Sequence, residues 1–205
     1  MGPPADDTGD DFMDTALREL LAELETFGRE NDAREEDRSK KMLNLETDTA
    51  QLLSILVRSS QCQHLLEIGT SNGYSTVWLA WSAQATNGHV ISIERDADKQ
   101  AQADANLQRA GLRDRVELLL GDATEIVANL TGPFDFVFFD ADRLSAPGQL
   151  ALLLPKLTPH ALVLADNVLS HRDQIAPYLA AITALSDFDH MVVPTGKGLS
   201  IAYKR

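Results

Sequence analysis

Apolar positions near the N-terminus follow a helical period. They recur every three or four residues from about Phe12 to Phe27, which predicts an amphipathic helix that Gly28 would end. A charged stretch at 31–41 predicts a second helix, and a leucine-containing run at 49–57 predicts a third. The sequence therefore predicts mainly helical structure over residues 12–60.

Beyond residue 63 the chain alternates between short apolar runs and helical segments. The apolar runs cover residues 65–68, 90–93, 116–120, 134–139, 162–165, 190–193 and 199–203. The first five are almost continuously apolar, as expected of parallel strands that helices cover on both faces. Only residues 194–198 separate the last two runs, which suits an antiparallel hairpin and not a crossover. The sequence thus predicts an α/β fold: a doubly wound, seven-stranded, mostly parallel sheet whose last strand is antiparallel.

Composition and charge narrow the classes of protein that fit this pattern. The 205 residues suffice for one domain, expected at 12–205, while residues 1–11 hold four aspartates without Lys or Arg and predict a disordered acidic tail. A net charge of −13 argues against nucleic acid and anionic membranes as partners. The single cysteine, Cys62, suits a reducing compartment, and no run approaches the roughly 20 apolar residues of a membrane span. We expect a cytoplasmic protein that acts on a small molecule.

Glycines and acids follow the first three strands, at the ends where open α/β sheets bind ligands. Gly69 and Gly73 lie in the turn after the first strand, Glu94 ends the second, and Asp122 follows the third. Each feature alone is explained equally well by an ordinary turn or a solvated charge. Together they predict a nucleotide-type ligand. The Gly-x-x-x-Gly spacing differs from the Gly-x-Gly-x-x-Gly of dinucleotide folds, which disfavours a nicotinamide-dependent oxidoreductase.

Acids and an amide also follow the fourth and fifth strands. Asp140 follows the fourth, and Asp166 and Asn167 follow the fifth. Carboxylate and amide oxygens are hard ligands, which suit Mg²⁺, Mn²⁺ or Ca²⁺ better than zinc. The alternative is that Asp166 and Asn167 merely form a turn or a helix cap, as both residue types often do. The pattern favours a divalent-cation site at these three residues.

Five motifs together resemble the cation-dependent O-methyltransferases, the family that includes catechol and caffeoyl-CoA O-methyltransferases. They are LEIGTSNGYS at 66–75, IE at 93–94, GDA at 121–123, FFDAD at 138–142 and ADNVL at 165–169. The resemblance runs from about residue 42 to the C-terminus and implies a Rossmann-like fold that binds S-adenosylmethionine. It also implies methyl transfer to a hydroxyl of a small, catechol-like acceptor held by the cation. By the resemblance the N-terminal helices would cover the acceptor site and take part in a homodimer, but their leucine face is equally well explained by packing on the protein's own core, which is our default interpretation.

The resemblance implies a role for individual residues of the cofactor site. The implied cofactor-binding residues are Leu45, Glu67, Gly69, Ser71, Gly73, Ser75, Glu94, Asp122, Ala123, Asp140 and Asp142. Ser75 would bind the methionine carboxylate and Asp142 would lie near the methionine amine. Glu94 would bind the ribose, and Asp122 with Ala123 would border the adenine. Asp140, Asp166 and Asn167 would hold the cation, as the residue types alone also indicate.

Arg143 leaves the identity of the catalytic base open. Well-known members of the family carry Lys directly after the Asp-Ala-Asp segment, where this chain has Arg143. A guanidinium stays protonated and cannot act as a base, but it can stabilise a phenolate or clamp a carboxylate or phosphate. A surface arginine paired with a nearby acid is the alternative. We expect Asp140 and Arg143 to be the catalytic residues, with His171 as a second candidate base unless it is simply a helix-start or surface histidine.

Two further functions stay compatible with the sequence. A metal-independent methyltransferase would use Asp140, Asp166 and Asn167 only structurally. A cofactor-binding partner protein that has lost catalysis is the non-enzyme alternative, because the loop at 144–148 lacks the tyrosine that many relatives carry. For the same reason the acceptor cannot be copied from the plant or animal enzymes.

Overall fold

The computed structural model describes residues 13–205. The predicted acidic tail at 1–11 and Phe12 lie outside the described residues. The helices are α1 (Thr15–Arg34), α2 (Thr47–Ser59), α3 (Tyr74–Ala85), α4 (Ala97–Arg109), α5 (Ala123–Asn129), α6 (Ala146–Leu153) and α7 (Arg172–Thr183). The strands are β1 (His64–Ile68), β2 (His89–Glu94), β3 (Val116–Leu120), β4 (Phe134–Phe139), β5 (Leu157–Ala165), β6 (Phe188–Val193) and β7 (Leu199–Lys204).

In the described part of the chain the strands form one seven-stranded sheet. Its order is β3-β2-β1-β4-β5-β7-β6, and β7 runs antiparallel to both of its neighbours while the other pairs are parallel. This confirms the predicted fold, including the final hairpin. The largest difference is at the start of β5. The strand begins at Leu157, whereas the prediction began it at residue 162, because Pro159 and His160 interrupt the apolar pattern.

The prediction that Gly28 ends the first helix is wrong. α1 continues past it to Arg34, and Gly28 is buried inside the helix. A Cβ at Gly28 would lie 2.8 Å from Cγ of Asn44, whose Nδ2 donates a hydrogen bond to the Leu24 carbonyl at 2.9 Å. The glycine therefore makes room for a side chain that packs on the helix backbone.

The prediction of a second helix at 31–41 is also wrong, since the chain reverses after α1. Asn31 Nδ2 donates to the Lys40 carbonyl at 3.0 Å. The Asp32 carboxylate accepts hydrogen bonds from the N–H groups of Met42 and Leu43 at 2.7 and 2.9 Å. These side chains from the last turns of α1 satisfy backbone groups of the returning segment, so that it needs no helix of its own.

The register of the central strands aligns the carboxyl ends of β1, β4 and β5. Ile68 pairs with Phe139, and Phe139 pairs with Ala165. The next residues continue the alignment, because the N–H of Asp140 donates to the Ile68 carbonyl at 2.9 Å and that of Asp166 to the Phe139 carbonyl at 3.0 Å. The residues that follow these strands therefore lie side by side at one edge of the sheet.

Helices cover both faces of the sheet, and alternate strand residues point to opposite faces. Leu65, Phe136 and Phe138 belong to the core that α1 to α4 cover. Leu66 and Val137 belong to the core that α5 to α7 cover. Within residues 13–205, no helix combines the length and apolar character needed to cross a bilayer.

Candidate active site

The turn after β1 brings the backbone close to the end of β4. Gly69 has a φ of +109°, and a Cβ there would lie 2.8 Å from the carbonyl carbon of Asp140. Gly73, with a φ of +86°, is the N-cap residue of α3, and a Cβ there would lie 3.0 Å from Ala103. Both the conformation and the space therefore require glycine. α3 begins without a side-chain cap, and a helix N-terminus of this kind attracts anionic groups.

Glu67 lies fully buried in β1 and faces α3. Its Oε1 accepts a hydrogen bond from Ser75 Oγ at 2.6 Å, and its Oε2 accepts from Thr76 Oγ1 at 2.5 Å and Ser92 Oγ at 2.6 Å. Thr70 Oγ1 lies 2.6 Å from Ser92 Oγ and extends the cluster. Burial raises the pKa of Glu67 to about 7 although the three hydroxyl donors lower it. The carboxyl thus titrates near neutral pH and ties β1 to both α3 and β2.

Ser71 and Glu94 hold the turns after β1 and β2 against each other. The Ser71 N–H donates to Glu94 Oε2 at 2.8 Å, and Glu94 Oε1 accepts from the next two backbone N–H groups at 2.9 and 3.0 Å. Ser71 Oγ donates to the Met42 carbonyl at 2.7 Å, which brings the segment after α1 over this turn. Leu45, in the same segment, is buried. The predicted cofactor residues on β1, β2 and this segment therefore lie close together.

Asp122 and Asp142 each stabilise the loop in which they stand. Asp122 is the N-cap residue of α5 and accepts two backbone N–H bonds at 2.9 and 3.1 Å, while Ala123 is the first residue of that helix. Asp142 accepts from the Ser145 hydroxyl at 2.6 Å and from two backbone N–H groups. The Ser145 hydroxyl bond is the main reason that the pKa of Asp142 is lowered. Both carboxylates are exposed and lie at the predicted edge of the sheet.

Asp140, Asp166 and Asn167 come together after β4 and β5. Asn167 Nδ2 donates to Asp166 Oδ2 at 2.6 Å and to Asp140 Oδ1 at 3.2 Å. Asn167 has a φ of +65°, which asparagine adopts more readily than most residues. The pair therefore does form a turn, and the turn brings the amide to both acids. In residues 13–205 no group of three or more His, Cys, Asp or Glu is arranged to hold a metal, so the donor set is two carboxylates and one amide.

Burial makes the two acids difficult to ionise. It is the largest cause that raises the pKa of Asp140 well above its ordinary value, followed by the neighbouring Asp166 carboxylate. Burial also raises the pKa of Asp166 to about 6, against the lowering effect of the Asn167 N–H. Asp166 Oδ1 is buried and has no hydrogen-bond partner among the described residues. An unpartnered oxygen beside a second acid is compensated well by a divalent cation, so these residues fit one.

Arg143 is half-buried on the loop after β4. Its Nε is buried and without a hydrogen-bond partner, and no carboxylate of residues 13–205 lies within 4.0 Å of it as an ion-pair partner. The interpretation as a surface arginine paired with a nearby acid is therefore wrong for the described chain. His171 is exposed at the start of α7, with Nδ1 2.9 Å from Ser170 Oγ. The positive charge of Arg143 is the main reason that the His171 pKa is lowered.

The sequence interpretation missed four residues that act on these groups. Thr76 and Ser92 donate to Glu67, and Lys197 Nζ pairs with Glu46 Oε1 at 2.8 Å. Lys197 lowers and Glu46 raises the pKa of both Asp140 and Asp166. Ser92 could have been noticed in the sequence, because it is a polar residue inside an otherwise apolar strand. Glu46 and Lys197 gave no such signal, because they lie far apart along the chain.

A cleft joins the acids to an apolar floor between the ends of β4 and β5 and the helices α6 and α7. It is lined by Ile68, Phe139, Asp140, Ala141, Asp142, Arg143, Ala146, Gln149, Ala165, Asp166, Asn167 and Ile175. Its apolar members except Ala141 are buried, whereas exposed Asp142 and half-buried Arg143 stand at its rim. Such a cleft suits a ligand with a flat apolar body and polar substituents.

One known protein family matches most of this chain. The O-methyltransferase family model matches residues 14–191, most of the chain. The chain belongs to the O-methyltransferase family. The resemblance inferred from the five motifs is thereby confirmed.

Individual relatives agree with this assignment to the O-methyltransferases. A catechol O-methyltransferase of Niastella koreensis is 35% identical over 131 residues, which cover 62% of this chain and 59% of the relative. One of Mycobacterium tuberculosis is 38% identical over 118 residues, which cover 57% and 53%. The matched stretch thus spans little more than half the length of these curated relatives. The structure of TomG from Streptomyces achromogenes, an O-methyltransferase of tomaymycin synthesis in complex with SAM, is 26% identical with a TM-score of 0.77 and covers 94% of this chain and 91% of TomG.

Proposed function

We propose that this protein transfers a methyl group from S-adenosylmethionine to a hydroxyl of a small, catechol-like acceptor held by a divalent cation. The observation that carries the proposal is the pair of neighbouring acids, half-buried Asp140 and buried Asp166, whose Oδ1 is unpartnered among the described residues. Family membership and the SAM complex of TomG support the cofactor. The names of the two bacterial relatives support a catechol-like acceptor.

The cofactor would bind across the ends of β1, β2 and β3. Gly69 and Gly73 leave room for the methionine part, and the start of α3 with Ser75 would receive its carboxylate. Glu94 would accept hydrogen bonds from the ribose hydroxyls. The remaining proposed contacts are Leu45, Glu67, Ser71, Asp122, Ala123, Asp140 and Asp142. Glu67 would act mainly by holding the Ser75 hydroxyl and the start of α3 in place, since it is fully buried and both of its oxygens already accept hydrogen bonds from hydroxyls.

Asp140, Asp166 and Asn167 would hold the cation. When bound, a divalent cation lowers the pKa of a coordinated hydroxyl and orients the resulting oxyanion. The side-chain nitrogen of Asn167 donates to both acids in the structure. To bind the cation, Asn167 would rotate its side-chain amide so that the oxygen faces the cation instead. The buried floor of the cleft would hold the acceptor ring and exclude water, and Arg143 would add positive charge near the reacting oxygen. A proton would leave the acceptor hydroxyl, and Arg143 cannot take it.

His171 is our candidate for the group that takes this proton. It is exposed, lies at the start of the helix that borders the cleft, and has a pKa lowered chiefly by Arg143, so that it is neutral at neutral pH. The test is the pH profile of methyl transfer by H171A. Loss of the acidic limb of the wild-type profile is expected, and an unshifted limb contradicts the assignment.

The cation site is tested by calorimetric titration of Mg²⁺ or Mn²⁺ into metal-stripped protein saturated with S-adenosylhomocysteine. We expect one saturable site in the wild type and at least about tenfold weaker binding in D166N, which removes one anionic ligand. D173N is the matched control, because Asp173 is an exposed acid in the first turn of α7 and should leave binding unchanged.

The same titration separates the competing functions. Binding of S-adenosylhomocysteine without any cation would favour a metal-independent methyltransferase. Binding of both without methyl transfer to any hydroxylated acceptor would favour a partner protein that has lost catalysis. A homodimer belongs to the proposal through the resemblance and a cytoplasmic location through the composition, and sedimentation velocity tests the first of them.

A further inference from the structure

We propose that Arg143 binds an anionic substituent of the acceptor, so that this protein selects aromatic hydroxy acids over neutral catechols. The inference rests on the proposed function and adds the acceptor class to it. It gives Arg143 a recognition contact with the acceptor in addition to the positive charge that it would supply near the reacting oxygen.

The first step is that, among residues 13–205, Arg143 has no ion-pair partner, and its Nε has no hydrogen-bond partner. Its Nε is buried without a hydrogen bond among the described residues, although two acids are close in sequence or space. Asp142 uses its carboxylate on Ser145 and on two backbone N–H groups. Asp166 uses Oδ2 on Asn167, and its other oxygen belongs to the proposed cation site. The buried Nε–H of this half-buried side chain loses hydration without compensation, and hydrogen bonding to an external anion would compensate for that loss.

The second step is the place of Arg143 in the cleft. It stands at the rim together with the loop after β4, whereas Phe139, Ala165 and Ile175 form the buried floor and Asp166 lies at the strand end. A ring on this floor would direct vicinal hydroxyls to the acids and a further substituent toward Arg143. The planar fork of a guanidinium matches a carboxylate with two parallel hydrogen bonds, which a lysine cannot do.

The third step concerns the other anions that could reach this position. The cofactor carboxylate would bind at the start of α3, and α3 covers the face of the sheet opposite to α6 and α7. Arg143 lines the cleft with residues of α6 and α7, including Gln149 and Ile175. The acceptor would reach Arg143 along the floor of this cleft. The cofactor would reach it only past Asp142, which would receive the cofactor amine, so the affinity of R143Q for S-adenosylhomocysteine separates the two sources. A reacting oxyanion is the remaining source, and it would be shared equally by neutral and acidic acceptors.

The test compares 3,4-dihydroxybenzoate with 3,4-dihydroxybenzamide, which have the same shape and differ in charge. Each is titrated calorimetrically into protein saturated with S-adenosylhomocysteine and Mg²⁺. The wild type should bind the acid about 10- to 100-fold more tightly than the amide, the range expected of charge-assisted hydrogen bonds. In R143Q this preference should fall below about threefold, and R143K should retain only part of it.

Two controls locate the effect. R172Q removes an exposed arginine of the first turn of α7 and should keep the full preference. The affinity of R143Q for S-adenosylhomocysteine should equal that of the wild type; a loss there would assign Arg143 to the cofactor carboxylate and overturn the inference.

Three further outcomes would contradict the inference. Equal binding of acid and amide by the wild type, binding of neither, or an unchanged preference in R143Q contradicts the inference without needing any variant to be active. Equal loss of both ligands in R143Q would assign the arginine to the reacting oxygen instead. Cation and cofactor binding are measured on the same samples, so a failure of the proposed function is visible separately as the loss of those signals.

Discussion

Replacing Glu67 by Gln should remove a pH-dependent part of the protein's stability. The buried carboxyl has a pKa of about 7 in the folded protein, against an ordinary value of 4.5 that it regains on unfolding. Because the folded state holds the proton more tightly, the stabilisation is complete below the lower value and is lost as the pH rises through about 7. The hydroxyls of Ser75, Thr76 and Ser92 can rotate to serve a neutral amide, so E67Q should fold.

The size of the effect follows from the two pKa values of Glu67. Over the whole interval from 4.5 to about 7, the stabilisation changes by about 3 kcal/mol at roughly 1.4 kcal/mol per pKa unit. Between about pH 5.5 and about pH 8, where unfolding is conveniently measured, about 2 kcal/mol of it should be lost from the wild type and none from E67Q.

Urea unfolding followed by circular dichroism at several pH values measures this difference directly. Subtracting the E67Q curve from the wild-type curve cancels the titration of all other groups that the substitution leaves unchanged. The difference should shift by about 2 kcal/mol in favour of E67Q as the pH rises from about 5.5 to about 8. Parallel pH profiles would refute the reasoning, because they would mean that Glu67 is ionised in the folded protein as readily as in the unfolded one.

Four substitutions at two glycines and a helix cap test the local physics of the fold. G28A should destabilise the protein by about 1–2 kcal/mol in urea unfolding despite the better helix propensity of alanine, because the new Cβ displaces Asn44. G148A is the matched control for G28A. Nothing lies within 4 Å of a Cβ at Gly148 and its φ is ordinary, so the free energy of unfolding should rise by about 0.5–1 kcal/mol. A stability change of the same sign in both variants would contradict the clash between a Cβ at Gly28 and Asn44. D122A should cost about 1 kcal/mol through loss of the α5 cap while D122N should be nearly neutral; equal losses would show that the cap is not what Asp122 supplies.

Strand ends and their residues could be predicted because they depend on local pattern. Apolar runs between helices predicted the strands and their directions, and the parallel pairing of β4 with β5 brings Asp140 and Asp166 together. The turn after β1 could be predicted in the same way, since Gly69 and Gly73 adopt positive φ angles that glycine favours.

Other features depend on contacts between distant residues, which one sequence does not display. Gly28 has the residue type of a helix end, and only the Asn44 side chain explains why the helix continues. Ser92 and Glu67 meet because they are register partners on β1 and β2, and the register is set by the whole sheet. The unpaired state of Arg143 is likewise a property of its surroundings, since its neighbours in sequence include an acid that turns out to be used elsewhere.

The most direct test of the central claim is methyl transfer itself. Purified protein is incubated with S-adenosylmethionine, Mg²⁺ and either 3,4-dihydroxybenzoate or catechol, and the products are analysed by mass spectrometry with and without a chelator. Our account predicts an O-methylated product and S-adenosylhomocysteine in equal amounts, both abolished by the chelator and by D166N. Turnover that is indifferent to the chelator would contradict the role of the cation. The absence of any methylated product from a protein that binds both S-adenosylmethionine and Mg²⁺ would contradict the proposal that the protein is a methyltransferase for these acceptors.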